Sequence, residues 1–263
     1  MARSRRRPPV LVVVVALVAA LFFALPFAGL LQRAAWSKLL TDLGTEESIE
    51  ALELSLVASL SSTVVVVLFG TPLAWVLARV EVPGRAIVRG LVLLPMVLPP
   101  VVGGVALISA FSLRSPIGGW LHDVFGLQLT FSTKGVVLAE VFVAMPFYVI
   151  TVEAALRNVD QRYEQVAASL GASRFTVFRR VTLPMVAPSV GAGAVLAWAR
   201  ALGEFGATIT FAGNIVGRTQ TLPLAVYLKL EGDGEAAIAL SLVLLLVSFV
   251  VLVGLRDKWL VRA

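Results

Sequence analysis

The chain has 263 residues, of which 59% are hydrophobic and 14% charged, with 22 Lys and Arg against 16 Asp and Glu and a sequence pI of about 10.3. That composition excludes an ordinary soluble domain, and several runs reach the roughly 20 apolar residues that a membrane-spanning helix requires. There is no cysteine, which removes disulfides and thiolate metal sites, and the one histidine, His122, stands in a polar connection without the companion ligands a metal site draws on.

Taken in order, the chain opens with Arg3, Arg5, Arg6 and Arg7 ahead of an apolar run from Val10 to Leu31. The run is longer than the roughly 7 to 15 residues of a signal-peptide core, so it is expected to be a retained first span. An acidic connection, Gln32 to Ala51, leads to a second span from about Leu54 to Ala78, and a short basic turn carries Arg79, Arg85 and Arg89. The third span, Ala86 to Phe111, contains LLPMVLPPVVGG. Pro95, Pro99 and Pro100 each remove a backbone donor and Gly103-Gly104 removes side-chain bulk, so a regular helix is not expected there. Broken backbone at membrane depth needs cover from protein or water, which leaves two readings for Pro99, Pro100 and Gly103: a wall of a passage, or a simple kink. A connection from Ser112 to Lys134 precedes a fourth span, Gly135 to Leu156, whose Glu140 and Glu153 are expected near its ends, reaching headgroups or water. A fifth span from Pro184 to Phe211, a loop from Ala212 to Glu235 and a sixth span from Ala236 to Leu255 complete an all-α bundle of six transmembrane helices. Lys and Arg number fifteen on one set of connections and six on the other, which predicts both termini in the cytoplasm.

Between the fourth and fifth spans lies the most informative connection. Tyr163, Val166, Ala167 and Leu170 have helical spacing, Gly171 offers the left-handed conformation that stops a helix, and Ser173 is a candidate N-cap for a second basic helix with Arg174, Arg179 and Arg180. Nine residues separate Gly171 from Val181-Thr182-Leu183-Pro184, and Gln165-Val166-Ala167, preceded by Glu164, stands where a Glu-Ala-Ala triplet would complete a known pattern. In this register the connection resembles the cytoplasmic motif of importer permeases of the ATP-binding-cassette class. The resemblance implies that Glu164, Gln165, Ala167, Ala168, Leu170, Gly171, Ala172 and Arg174 form a coupling helix seated on a separate ATPase subunit. It also implies a single permease domain, 1–263, with 162–183 as its cytoplasmic coupling loop.

No G-x-x-x-x-G-K-[ST] loop, G-x-S-x-G elbow or H-E-x-x-H pair occurs, so nothing in the sequence supports ATP hydrolysis or membrane enzymology by this chain, and no cofactor is expected. No basic-aromatic nucleic-acid module is visible either. Along the fifth span, Gly193, Ala197 and Ala201, and likewise Ala199, Gly203 and Ala207, recur every four residues, a spacing that lets helices approach closely in a dimer or bundle. Arg200 to Thr208, Phe211 to Asn214 and Gly217 to Pro223, with Pro95 to Gly103, are similar to the molybdate-type permeases, with sulfate permeases as relatives. That likeness implies a plasma-membrane homodimer with two ATPase subunits, fed by an extracytoplasmic anion-binding protein and working by alternating access in the lipid bilayer. Pro99, Pro100, Gly103, Arg200, Gly203, Glu204, Gly206 and Thr208 are the candidate pathway or gate residues. Arg200 and Glu204, one helical turn apart, read either as a self-neutralised packing pair or as an outer gate in which Glu204 holds Arg200. A secondary transporter, with ionisable groups at the midplane, is the rival class, and a channel or structural subunit the third.

Overall fold

The computed structural model describes residues 9–81 and 83–259, and among them every regular element is helical. The basic residues Arg3 to Arg7 and Arg262, which entered the orientation count, lie outside the described residues. Helix α1 (Val10–Arg33) is apolar around its whole circumference and buries none of its residues. A short α2 (Leu39–Leu43) leads to Thr45, whose hydroxyl accepts from the Ser48 amide and starts α3 (Glu46–Arg79). At 34 residues α3 is about 50 Å long at about 1.5 Å per residue, so it starts well ahead of the span expected from Leu54. Glu46 and Glu47 in its first turn suit the positive end of the helix dipole.

The expected third span is two helices, α4 (Arg85–Val97) and α5 (Pro100–Phe111), because Pro99 forces Leu98 into extended backbone and Pro100 restarts the chain at a first-turn position. Then follow α6 (Pro116–Phe125), α7 (Thr133–Asn158), α8 (Arg162–Ser169), α9 (Arg174–Val177), a π-helical turn at Phe178–Thr182, and α10 (Leu183–Leu202). The fifth span is likewise not one helix to Phe211: α10 stops at Leu202, residues 203–205 are irregular, and α11 (Gly206–Phe211) sets off again. The expected loop from Ala212 to Glu235 contains a helix, α12 (Leu222–Gly232), with Leu222, Leu224 and Ala225 buried, and α13 (Gly234–Trp259) closes the fold. Among the described residues, five stretches are long and apolar enough to cross a bilayer, and six if α5 and α6, bent by 57°, count as one.

The core is the trio α3, α7 and α10. The buried face of α3 is lined with small residues, Ser55, Ala58, Ser59 and Ser62 leading to Gly70 and Ala74, so α7 can come close. Tyr148 of α7 is slotted between glycines from both neighbours: a Cβ on Gly70 would stand 2.7 Å from its ring, and one on Gly193 3.1 Å. The phenol meets Thr71 Oγ1 at 2.6 Å. Gly193, Ala197 and Ala201 are thus buried inside the chain against α7. The second small-residue row is not a helical face, because Gly203 falls in the break and is exposed.

Candidate functional site

The two broken spans meet at their breaks. A Cβ on Gly206, the first residue of α11, would stand 2.7 Å from Pro100 Cβ, and a Cβ on Gly104 would stand 2.5 Å from Thr210 Cβ. These glycines let the start of α5 and the body of α11 touch without side chains between them. Pro99 and Pro100 are exposed and Gly103 is buried against the Phe142 ring. Pro100 and Gly206 therefore meet at one junction, and Gly103 and Thr208 lie on the two helices, α5 and α11, that form it.

Glu204 sits in the break and not along a helix, which corrects its placement about one turn beyond Arg200 on a continuous span. Its side chain is 1% exposed; Oε1 accepts the Ala207 amide at 2.8 Å and Oε2 pairs with Arg200 at 2.6 Å. One carboxylate thus satisfies an amide of α11 that has no helical partner and holds the guanidinium of α10, which stays 27% exposed. Thr208 is fully buried, and its hydroxyl has no partner among the described residues.

Glu140 and Glu153 do not reach headgroups or water as expected; they are 1% and 3% exposed. They are covered on different sides of α7, Glu140 towards Ser62 of α3 and Glu153 towards Arg85 and Arg89 of α4, and the helix runs past both expected ends, from Thr133 to Asn158. Glu140 has Ser62 and Glu204 as its polar neighbours, and its Oε2 has no hydrogen-bond partner among the described residues. Glu153 Oε1 receives Arg89 at 2.5 Å and Arg157 at 2.8 Å, with Arg85 at 4.0 Å. Arg200 and Glu204 are therefore not the only charges within the bundle. A rule that treats any ionisable group inside a span as functional would have flagged Glu140; its neighbours come from α3 and the α10–α11 break, which periodicity does not reveal.

The connection between α7 and α10 folds as its residues predict. Gly171 has φ +87°, the Ala172 amide donates to Ala167 O at 3.1 Å and the Gly171 amide to Ala168 O at 3.0 Å, a Schellman closure of α8. Ser173 accepts from the Thr176 amide at 3.2 Å and starts α9. Tyr163, Val166, Leu170 and Phe175 point outward, Leu170 being 84% exposed. Gln165, Ala168, Ala172 and Arg174 line a cleft of about 250 Å³ between this connection and Trp75 of α3. Glu164 is turned inward to Arg79 at 3.2 Å and Thr182 at 3.0 Å, contacts that no sequence signal announced.

A bundle with paired helix breaks and a helical connection bearing exposed apolar residues at one end defines a class. The chain belongs to the binding-protein-dependent transport system inner membrane components, whose family model matches residues 70–262. It is a multi-pass inner-membrane permease of the ATP-binding-cassette importer class, a transport subunit and not an enzyme. It is 47% identical over 252 residues to the molybdenum transport system permease protein ModB of Mycobacterium tuberculosis, covering 95% of this chain and 94% of that one. It is 34% identical over 240 residues to the sulfate transport system permease protein CysT of Escherichia coli, covering 90% and 86%. A bacterial alginate ABC transporter, solved in complex with an alginate pentasaccharide-bound periplasmic protein, has a chain of the same fold, with a TM-score of 0.76 at 19% identity and coverage of 94% and 93%.

Proposed function

We propose that this permease imports molybdate: two copies form the pathway, two ATPase subunits drive it, and an extracytoplasmic binding protein delivers the anion. The observation that carries the reading is the junction of the two broken spans, where Arg200, held by Glu204, keeps a partly exposed positive charge beside glycine-lined backbone. A tetrahedral dianion crossing a low-dielectric region needs such a charge, and a charge that is already held loses little when the anion leaves. The 47% identity to a molybdenum permease favours molybdate over sulfate, the cargo named for the relative at 34%. Residues 162–183 act as the coupling loop on the cytoplasmic side of a single permease domain. ATP-driven closure of the ATPases moves this loop, and the spans open outward and then inward.

The test is uptake into proteoliposomes holding the permease, its ATPase and its binding protein. Molybdate is expected to accumulate only with ATP inside, and equal sulfate to compete weakly. Preferential sulfate uptake would reassign the cargo, and uptake driven by an ion gradient without ATP would reject the class of mechanism.

A further inference from the structure

We infer that Glu164 is a positioning residue that fastens the coupling loop to the ends of all three core spans, and that it does not serve as a contact to the ATPase. The inference rests on the coupling role proposed above for this loop. One oxygen, Glu164 Oε1, takes both contacts: it pairs with Arg79 at 3.2 Å and accepts the Thr182 hydroxyl at 3.0 Å. Arg79 is the last residue of α3, and it also donates to the carbonyl of Val159, the residue that ends α7, at 3.2 Å. Thr182 closes the π-helical turn and immediately precedes α10. A single carboxylate therefore joins α8 to α3 directly, to α7 through Arg79, and to α10 through Thr182.

Burial sets the direction in which this group acts. The Glu164 side chain is 19% exposed, Arg79 7% and Thr182 1%; the carboxylate lies at the inner wall of the cleft beside Trp75, turned towards the bundle. On the opposite side of α8, Tyr163 and Val166, with Leu170 at its end, form an exposed apolar and aromatic row available for docking. Docking and transmission thus fall on opposite sides of the same two-turn helix. A rigid, charge-assisted link across the inner side lets a displacement of α8 move the span ends, where a link through exposed flexible side chains would dissipate it.

The experiment compares Glu164→Gln, Thr182→Val and the exchange Glu164→Arg/Arg79→Glu in the reconstituted transporter. Three quantities are measured: retention of the ATPase, ATP hydrolysis, and anion uptake per ATP. Glu164→Gln is expected to keep the ATPase bound while uptake per ATP falls roughly tenfold, a coupling change of ordinary size. Thr182→Val, which removes one arm without touching charge, is expected to lower the same ratio, and the exchange to recover part of what Glu164→Gln loses. An unchanged ratio in both Glu164→Gln and Thr182→Val, or loss of the ATPase from Glu164→Gln, would overturn the assignment. Leu170→Glu is the separate control on the coupling role. If it leaves ATPase binding and coupling intact, the loop is not the docking surface and that reading fails, whereas loss of the ATPase with normal Glu164→Gln coupling overturns this inference alone.

Discussion

Tyr148 shows how tightly single residues are specified in this bundle. With Gly70 on one side of the ring and Gly193 on the other, no methyl group fits at either glycine without displacing an aromatic ring at the centre of α7. Gly70→Val is therefore expected to lower stability by about 1–3 kcal/mol, the usual cost of overpacking, read as a lower unfolding midpoint of the purified protein in detergent. Tyr148→Phe keeps the packing and loses the bond to Thr71, for a smaller loss of about 0.5–1.5 kcal/mol. A Gly70→Val protein as stable as the parent would mean that α3 can back away from α7. The small-residue row ending at Ala201 was legible in the sequence because it repeats at helical spacing. The slot for Tyr148 was not, since a glycine shows that something approaches closely but not what. The same limit hid Glu140 and Glu153: hydropathy counts a carboxylate as near a span end but cannot say that its face of the helix is covered.

At the scale of elements, the breaks decide which residues can act together. The first break was readable, because Pro99 and Pro100 act on the backbone locally. The second was not: Gly203 and Gly206 are tolerated in membrane helices, and here the chain turns because α11 packs on the start of α5 while Glu204 takes up the freed amide of Ala207. Gly206→Val should push these two segments apart and reduce uptake more than it reduces insertion or assembly. Cysteines placed at Pro99 or Pro100 in this cysteine-free chain should react with a small water-soluble thiol reagent to different extents with and without ATP, and uniform inaccessibility would return the segment to a buried kink. For the Arg200 and Glu204 pair, the double variant Arg200→Met/Glu204→Leu distinguishes the two readings. An assembled protein that hydrolyses ATP without importing anion supports the gate; normal uptake by an assembled double variant reduces the pair to packing. Because Glu204 also holds the Ala207 amide, Glu204→Leu alone is expected to be the less stable of the two single variants, as it leaves both a buried amide and Arg200 without their acceptor.

At the scale of the whole molecule, composition was enough to read a polytopic helical membrane protein, and the glycine-to-Leu-Pro spacing singled out the loop for which a coupling role is proposed above. The loop's geometry makes Gly171 a direct test. At φ +87° any other residue is strained by roughly 1–2 kcal/mol, so Gly171→Val is expected to loosen the α8–α9 bend and lower uptake per ATP while the spans still insert. Wild-type uptake by that variant would count against the coupling role. The π-helical turn at Phe178–Thr182 lies between this bend and α10. A π turn holds one residue more than the α turn it replaces, and such a surplus persists mainly where it is used. Because that extra residue is taken up within a single turn, removing it would restore regular winding with the loop in nearly its original direction, whereas removing a residue from the regular α-helix beyond it would turn the loop about the α10 axis by roughly 100°. The surplus residue is slack held between the bend and the span: under the coupling role proposed above, a chain shortened by it should keep the direction of its docking face and lose only the give of this turn.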